Sequence, residues 1–75
     1  MIILSVNAGS SSLKFTGFEM PSEDVLISGV FERIGIDNSF YTIKVNGEKI
    51  KKEVDLPNHK VAFEILIKEL MNNKI

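Results

Sequence analysis

Apolar and polar positions alternate in short blocks through most of this chain, and only near its carboxyl-terminal end does a helical spacing take over. Ile2-Ile3-Leu4-Ser5-Val6 is an aliphatic run with Ser5 as its one polar residue, the make-up of a strand buried on both faces. Residues 7–12 are polar and turn-like, and "LKFTGFEM" (13–20) predicts a second strand. Pro21-Ser22-Glu23 marks a tight turn. "DVLISGVFERI" (24–34) then places Val25, Ile27 and Phe31 on one face and Leu26 and Val30 on the other, as in a central strand. The connections are too short for a crossover helix, so the three strands are predicted to form an antiparallel meander.

Gly35 to Asn38 interrupt the pattern, and "SFYTIKVNGEKIKKEVDL" (39–56) restores it as a hairpin. Asn46-Gly47 is the dipeptide favoured by type I′ turns, and a two-residue loop pairs Val45 with Glu48 and Ile43 with Ile50. Tyr41, Ile43, Val45, Ile50 and Val54 are predicted to share one face. The same register sets Lys44 opposite Lys49, tolerable on a solvated face. After Pro57, Asn58 is suited to cap a helix over "HKVAFEILIKELM" (59–71). Val61, Ala62, Phe63, Ile65, Leu66, Ile67 and Leu70 spread over more than half its circumference, with Glu64 and Lys68 paired on the polar side. A helix so broadly apolar is buried on more than one side, and one sheet covers only part of it. The expectation is a single partial domain over residues 1–75, of order β-β-β-β-β-α, with further protein packed against it.

Composition sharpens that picture. The 75 residues include 44% hydrophobic positions, a high share for a chain with so little interior. There is no cysteine to form disulfides or thiolate metal sites, and His59 is the only histidine. Nine basic against ten acidic residues give no field for nucleic acid or an anionic membrane. No run approaches a membrane span, and the amino terminus lacks the pattern of a signal peptide. A soluble, cytoplasmic protein is the expectation.

The chemistry concentrates in "NAGSSSLKF" (7–15). Gly9 can adopt positive φ and lets backbone approach a ligand closely. Successive turn amides can form a concave nest for phosphate oxygens, and Ser10, Ser11 and Ser12 add hydroxyl donors. Lys14, just inside the second strand, can reach back toward the same point, and Asn7 can hydrogen-bond a phosphate or a water of hydrated Mg²⁺. Gly, Ser and Asn also populate ordinary exposed turns, which composition alone favours. The stretch is no Walker loop, since no glycine precedes the lysine and a strand follows.

Directly behind an apolar first strand, however, "NAGSSSLKF" resembles the amino-terminal signature of the acetate kinase family. The likeness continues through "SGVFERIG" (28–35), "KVNGEK" (44–49) and "NHKVAFEIL" (58–66) in the same order. Ser5 departs from the usual aliphatic residue, and Asn58 stands where aspartate is common. The resemblance implies an α/β fold of the ribonuclease-H-like, actin-like class, shared with sugar kinases and Hsp70, in which two lobes close over ATP. The implied activity is reversible, Mg²⁺-dependent phosphoryl transfer from ATP to acetate, giving acetyl phosphate and ADP. On this sequence the family pattern places Asn7 at Mg²⁺ and phosphate, Lys14 at ATP, and Gly9, Ser10 and Ser12 in the phosphate loop. The family's catalytic residues fall beyond residue 75, so these residues alone are expected to be an inactive amino-terminal piece, able to self-associate, of an enzyme that is a homodimer at full length. Propionate or butyrate kinase is the alternative within the family; Ala8 and the unbroken serines lean toward acetate. A small interaction module whose turn only imitates a phosphate loop is the alternative outside it.

Other polar residues read as structural: His59 at the first helical turn, Arg33 in the third strand, Glu32 and Asp37 without shared chemistry, and Lys44, Lys49, Lys51 and Lys52 on a solvated face. Phe15, Phe18, Phe31, Phe40 and Phe63 read as core.

Overall fold

In the computed structural model, which describes residues 1–73 and 75, the alternating blocks are strands and the last block is a helix. The strands are β1 (Ile2–Ala8), β2 (Leu13–Glu19), β3 (Asp24–Glu32), β4 (Phe40–Val45) and β5 (Glu48–Glu53), and the helix is α1 (His59–Asn72). Each strand pairs antiparallel with its successor, so the order across the sheet is the order in sequence, as short connections require. The β4–β5 hairpin has the predicted register, with Val45 opposite Glu48 and Lys44 opposite Lys49. Asn46 and Gly47 have φ of 53° and 77°, the two positive values a type I′ turn needs. Asn58 caps α1, its Oδ1 accepting the Val61 N–H at 3.0 Å.

One face of the sheet builds the core. Leu13 and Phe15 of β2, Ile27 and Phe31 of β3, and Tyr41, Ile43 and Val45 of β4 are buried together with Leu56, and with Ala62 and Leu66 of α1. Phe31 is central: its ring stacks on Tyr41 at 4.9 Å and lies 6.1 Å from Phe15. Gly29, opposite Phe15, makes room for that ring, because a Cβ there would fall 2.5 Å from Phe15 Cε1 and 2.8 Å from the Thr42 carbonyl. Ser39 is buried although polar, and it is satisfied twice: its Oγ donates to the Val54 carbonyl at 2.6 Å and accepts the Leu56 N–H at 2.8 Å. That clasp directs the chain leaving β5 toward the start of α1.

Burial pushes the Tyr41 hydroxyl above the ordinary tyrosine pKa of 10.0; Glu69 adds to the rise and Lys52 opposes it. A phenol that holds its proton more tightly when folded supplies stability that is complete below the unfolded pKa. That contribution is lost as pH climbs from there through the folded value. Denaturation titrations should therefore show stability falling from about pH 10 upward, and Tyr41→Phe should flatten that part of the fall. An identical alkaline slope in the variant would remove Tyr41 as its source.

Several expectations are corrected by position in the sheet. β1 is an edge strand with a neighbour on one side only, so Ile2, Ile3 and Val6 are exposed and only Leu4 is half-buried. A bulge between β2 and β3 leaves Leu26 unpaired, with Gly17 opposite Ile27 but Phe18 opposite Val25. The extra residue moves Val25 off the core face, where it is 59% exposed. Ile50 is exposed because β5 is the opposite edge, and Val54 lies beyond the strand, packed against the core from the following segment. Of the five phenylalanines, Phe15 and Phe31 are buried, Phe18 and Phe40 are half-buried, and Phe63 is exposed. On α1, Phe63, Ile67 and Met71 form a second, uncovered apolar stripe at four-residue spacing. Among the described residues Glu64 and Lys68 make no ion pair, both being free in solvent, while Glu69 instead approaches Lys52 of β5 at 3.9 Å. Arg33 lies just past β3 with φ 58°, its Nε–H donating to the Asp37 carbonyl at 2.8 Å, a structural role in a turn.

Candidate functional site

The β1–β2 connection is the four-residue loop Gly9–Ser12, closed by Ala8 opposite Leu13 and, one pair further in, Asn7 opposite Lys14. The alternation of a strand sends Val6, Ala8, Leu13 and Phe15 toward the core face and Asn7 and Lys14 to the other, open face. Asn7 and Lys14 are thus cross-strand neighbours immediately beside the loop, both exposed. The Gly9 N–H donates to the Ser12 carbonyl at 2.9 Å and closes the loop, while the Ile34 N–H, past β3, donates to the Ser11 carbonyl at 2.9 Å. Gly9 does not use the positive φ open to it. What its missing side chain provides is closeness, since a Cβ there would sit 2.8 Å from Ser12 Oγ.

Two features of the site were out of reach of sequence reading. His59 Nε2 lies 2.7 Å from the Gly9 carbonyl and 3.2 Å from that of Ser12, so the first residue of α1 touches the loop from 50 and 47 positions away. Lys44 and Lys49, read as solvated, are exposed but also border a shallow groove of about 320 Å³ on the open face, together with Lys14, Thr16, Ser28 and Thr42. These are the outward positions of four adjacent strands, brought level by the register Thr16–Ser28–Lys44–Lys49. The groove has a mainly apolar surface, with Phe15 and Val30 also in its lining, but three lysines border it, and Lys14 links it to the flank of the loop; those charges suit phosphate oxygens.

As a metal position, Asn7 offers a neutral amide oxygen, and no group of three His, Asp or Glu side chains stands ready for an ion among the described residues. That donor set fits an ion such as Mg²⁺ that keeps its waters and takes its remaining ligands from phosphates. Among the described residues no helix is long and apolar enough to cross a membrane.

Residues 2–75 match the family model described as the acetokinase family. The chain belongs to the acetokinase family. Its relatives include an acetate kinase of a Geobacillus species, 56% identical over 73 residues, and acetate kinase 2 of Listeria monocytogenes, 50% identical over 72. The matches cover 97% and 96% of this chain but 18% of each relative, so the chain spans less than a fifth of their length. Among solved structures, an acetate kinase of Porphyromonas gingivalis superimposes with a TM-score of 0.87 at 41% identity, over 92% of this chain and 18% of that one. A propionate kinase of Francisella tularensis does so with 0.89 at 34% identity, over 97% and 19%. The sheet and helix therefore have the fold of this part of acetokinase-family proteins, in the actin-like, ribonuclease-H-like class.

Proposed function

We propose that this chain is the amino-terminal part of the first lobe of an acetate kinase, and that the loop Gly9–Ser12 with Asn7 and Lys14 is its half of a MgATP site. The observation that carries the reading is the arrangement beside that loop: an amide and an ammonium side by side on the open face, next to a groove bordered by three lysines, in a chain matched to the acetokinase family over residues 2–75. In the reaction the bond between the terminal phosphorus of ATP and its bridging oxygen breaks, releasing ADP. A bond forms between that phosphorus and an acetate oxygen, giving acetyl phosphate. Such transfers depend on holding the phosphates in place and neutralising their charge. Lys14 would supply a positive charge, Ser10 and Ser12 hydroxyl donors, and Asn7 an oxygen for the hydration shell of Mg²⁺. Bound Mg²⁺ would add charge neutralisation on the phosphates.

The acceptor's binding groups and the adenosine pocket would belong to the rest of a chain as long as the relatives, so residues 1–75 by themselves are read as inactive. The uncharged β1 edge and the Phe63–Ile67–Met71 stripe are where that remainder would pack, and where the piece alone would self-associate. Cytoplasmic location and a full-length homodimer complete the reading. The test is formation of hydroxylamine-trappable acyl phosphate from MgATP and acetate by the full-length protein, against propionate and butyrate. Acetate is expected to give the highest kcat/KM. No acyl phosphate from any of the three would overturn the kinase reading, and a preference for propionate would move the chain to the other branch seen among its structural neighbours.

A further inference from the structure

Hydrogen-bond accounting in the loop is lopsided. Three of the four carbonyls of Gly9–Ser12 are engaged by donors within the chain: Gly9 by His59, Ser11 by the Ile34 N–H, and Ser12 by both the Gly9 N–H and His59. The N–H groups of Ser10, Ser11 and Ser12, by contrast, have no partner among the described residues. Ser10 is exposed and Ser11 and Ser12 are half-buried, so these amides are open to solvent, and a run of open amides whose neighbouring carbonyls are engaged can receive an anion. We propose that His59 is a positioning residue for nucleotide phosphate, holding the Gly9 and Ser12 carbonyls to its own side so that the loop presents donors to the phosphate. This rests on the reading of Gly9–Ser12 as a phosphate loop.

The chemistry fixes the direction of the bond. Both partners are carbonyl oxygens, which only accept, so Nε2 carries the proton, in a neutral ring or a charged one. A ring nitrogen committed to two backbone oxygens is not free to exchange protons with substrate, which separates this role from general acid–base catalysis. The mounting is firm as well. The Asn58 cap sets where α1 begins, and the Ser39 clasp holds Leu56 in the segment before it. The Gly35 N–H donates to the Leu56 carbonyl at 2.6 Å and ties that segment to the end of β3. The histidine therefore reaches the loop from an anchored base. Losing its bond leaves the Gly9 carbonyl free to turn toward the anion, where oxygen would face oxygen.

The test compares His59→Phe, which keeps an aromatic ring but has no donor, with His59→Gln, whose amide N–H reaches nearly as far as Nε2, in a full-length kinase carrying residues 1–75. His59→Phe is expected to lower kcat/KM for MgATP roughly 10- to 100-fold, the scale of misplacing a reacting group by about 1 Å, with KM for acetate unchanged. His59→Gln is expected to recover most of the loss. Without nucleotide, amide hydrogen exchange in residues 7–14 should be faster in His59→Phe than in wild type or His59→Gln. Should His59→Phe fail to fold, His59→Asn, whose amide falls short of the loop, takes its place with the same expectations. Wild-type MgATP kinetics in the donorless variant, or equal losses in both variants, would overturn the proposal. A wild-type protein that binds no nucleotide would sink the phosphate-loop reading. That outcome is distinguishable, because unchanged loop exchange in the donorless variant counts against the His59 clamp whatever the ligand.

Discussion

Lys14→Ala in a full-length kinase carrying these residues is expected to reduce kcat/KM for MgATP by roughly 100-fold, the low end of what removing one positioned donor to a developing charge costs. The thermal midpoint should stay within about 2 °C, since exposed substitutions away from packing features rarely matter to stability. The asymmetry follows from where the residue stands. Lys14 is exposed on the open face, opposite Asn7, and takes part in none of the ion pairs found among the described residues. The core, on the other face, does not notice its removal. Lys44 and Lys49 border the same groove from further across the sheet. Lys44→Ala is the natural comparison and should cost no more than about threefold, because a charge beyond the first contacts is screened over roughly 8–10 Å at physiological salt. Steady-state kinetics with varied MgATP separate the cases. Unchanged constants in Lys14→Ala would take the residue out of the site, and equal losses in both variants would mean that the groove as a whole, not the loop's flank, holds the phosphates.

The second large effect is on folding. Phe31→Ala is expected to cost about 4 kcal/mol, the middle of the range for emptying a buried aromatic position. Phe31 has no exposed surface, and its removal would strip Tyr41 of a stacking partner and open space beside Phe15. At a typical 0.05–0.15 kcal/mol per residue, a domain of this size has about 4–11 kcal/mol in all, so the variant should lose most or all of its cooperative unfolding transition. Phe63→Ala is the control: the same chemical change at a position 44% exposed should cost about 1 kcal/mol or less in the isolated residues. Urea titrations followed by circular dichroism would decide. A Phe31→Ala protein with a near-normal midpoint would mean the core is not centred on that ring.

These two phenylalanines also mark how far the sequence could be read. Hairpin register, helix cap and meander order follow from local chemistry: Asn46-Gly47 imposes its turn, Asn58 its cap, and short connections their antiparallel pairing. Phe31 reads correctly as core because it lies on a strand with neighbours on both sides. Phe63, Val25 and Ile2 do not, because exposure there depends on facts that no local window contains. These are a second stripe on a helix that meets only one sheet, one unpaired residue at Leu26, and an edge where the sheet stops. At the candidate site, "NAGSSSLKF" disclosed its residue types and its family likeness. The face shared by Asn7 and Lys14 followed once the register of one hairpin was known. The groove with Lys44 and Lys49 needed the register of four strands. The contact of His59 with the loop needed the whole fold.

That last contact carries a consequence for time as well as shape. The β1–β2 hairpin is a local structure and can close soon after its residues exist, whereas the bond from His59 to Gly9 joins positions 50 apart. Closing so long a loop costs entropy that only later contacts repay, and such contacts form slowly. During synthesis, Gly9–Ser12 must wait for the meander, the second hairpin and the first turn of α1 before its carbonyls are held. The loop is thus made well before it can take its working form, and a ribosome that stalls before residue 59 leaves behind a loop with the right sequence and nothing to hold its carbonyls aside.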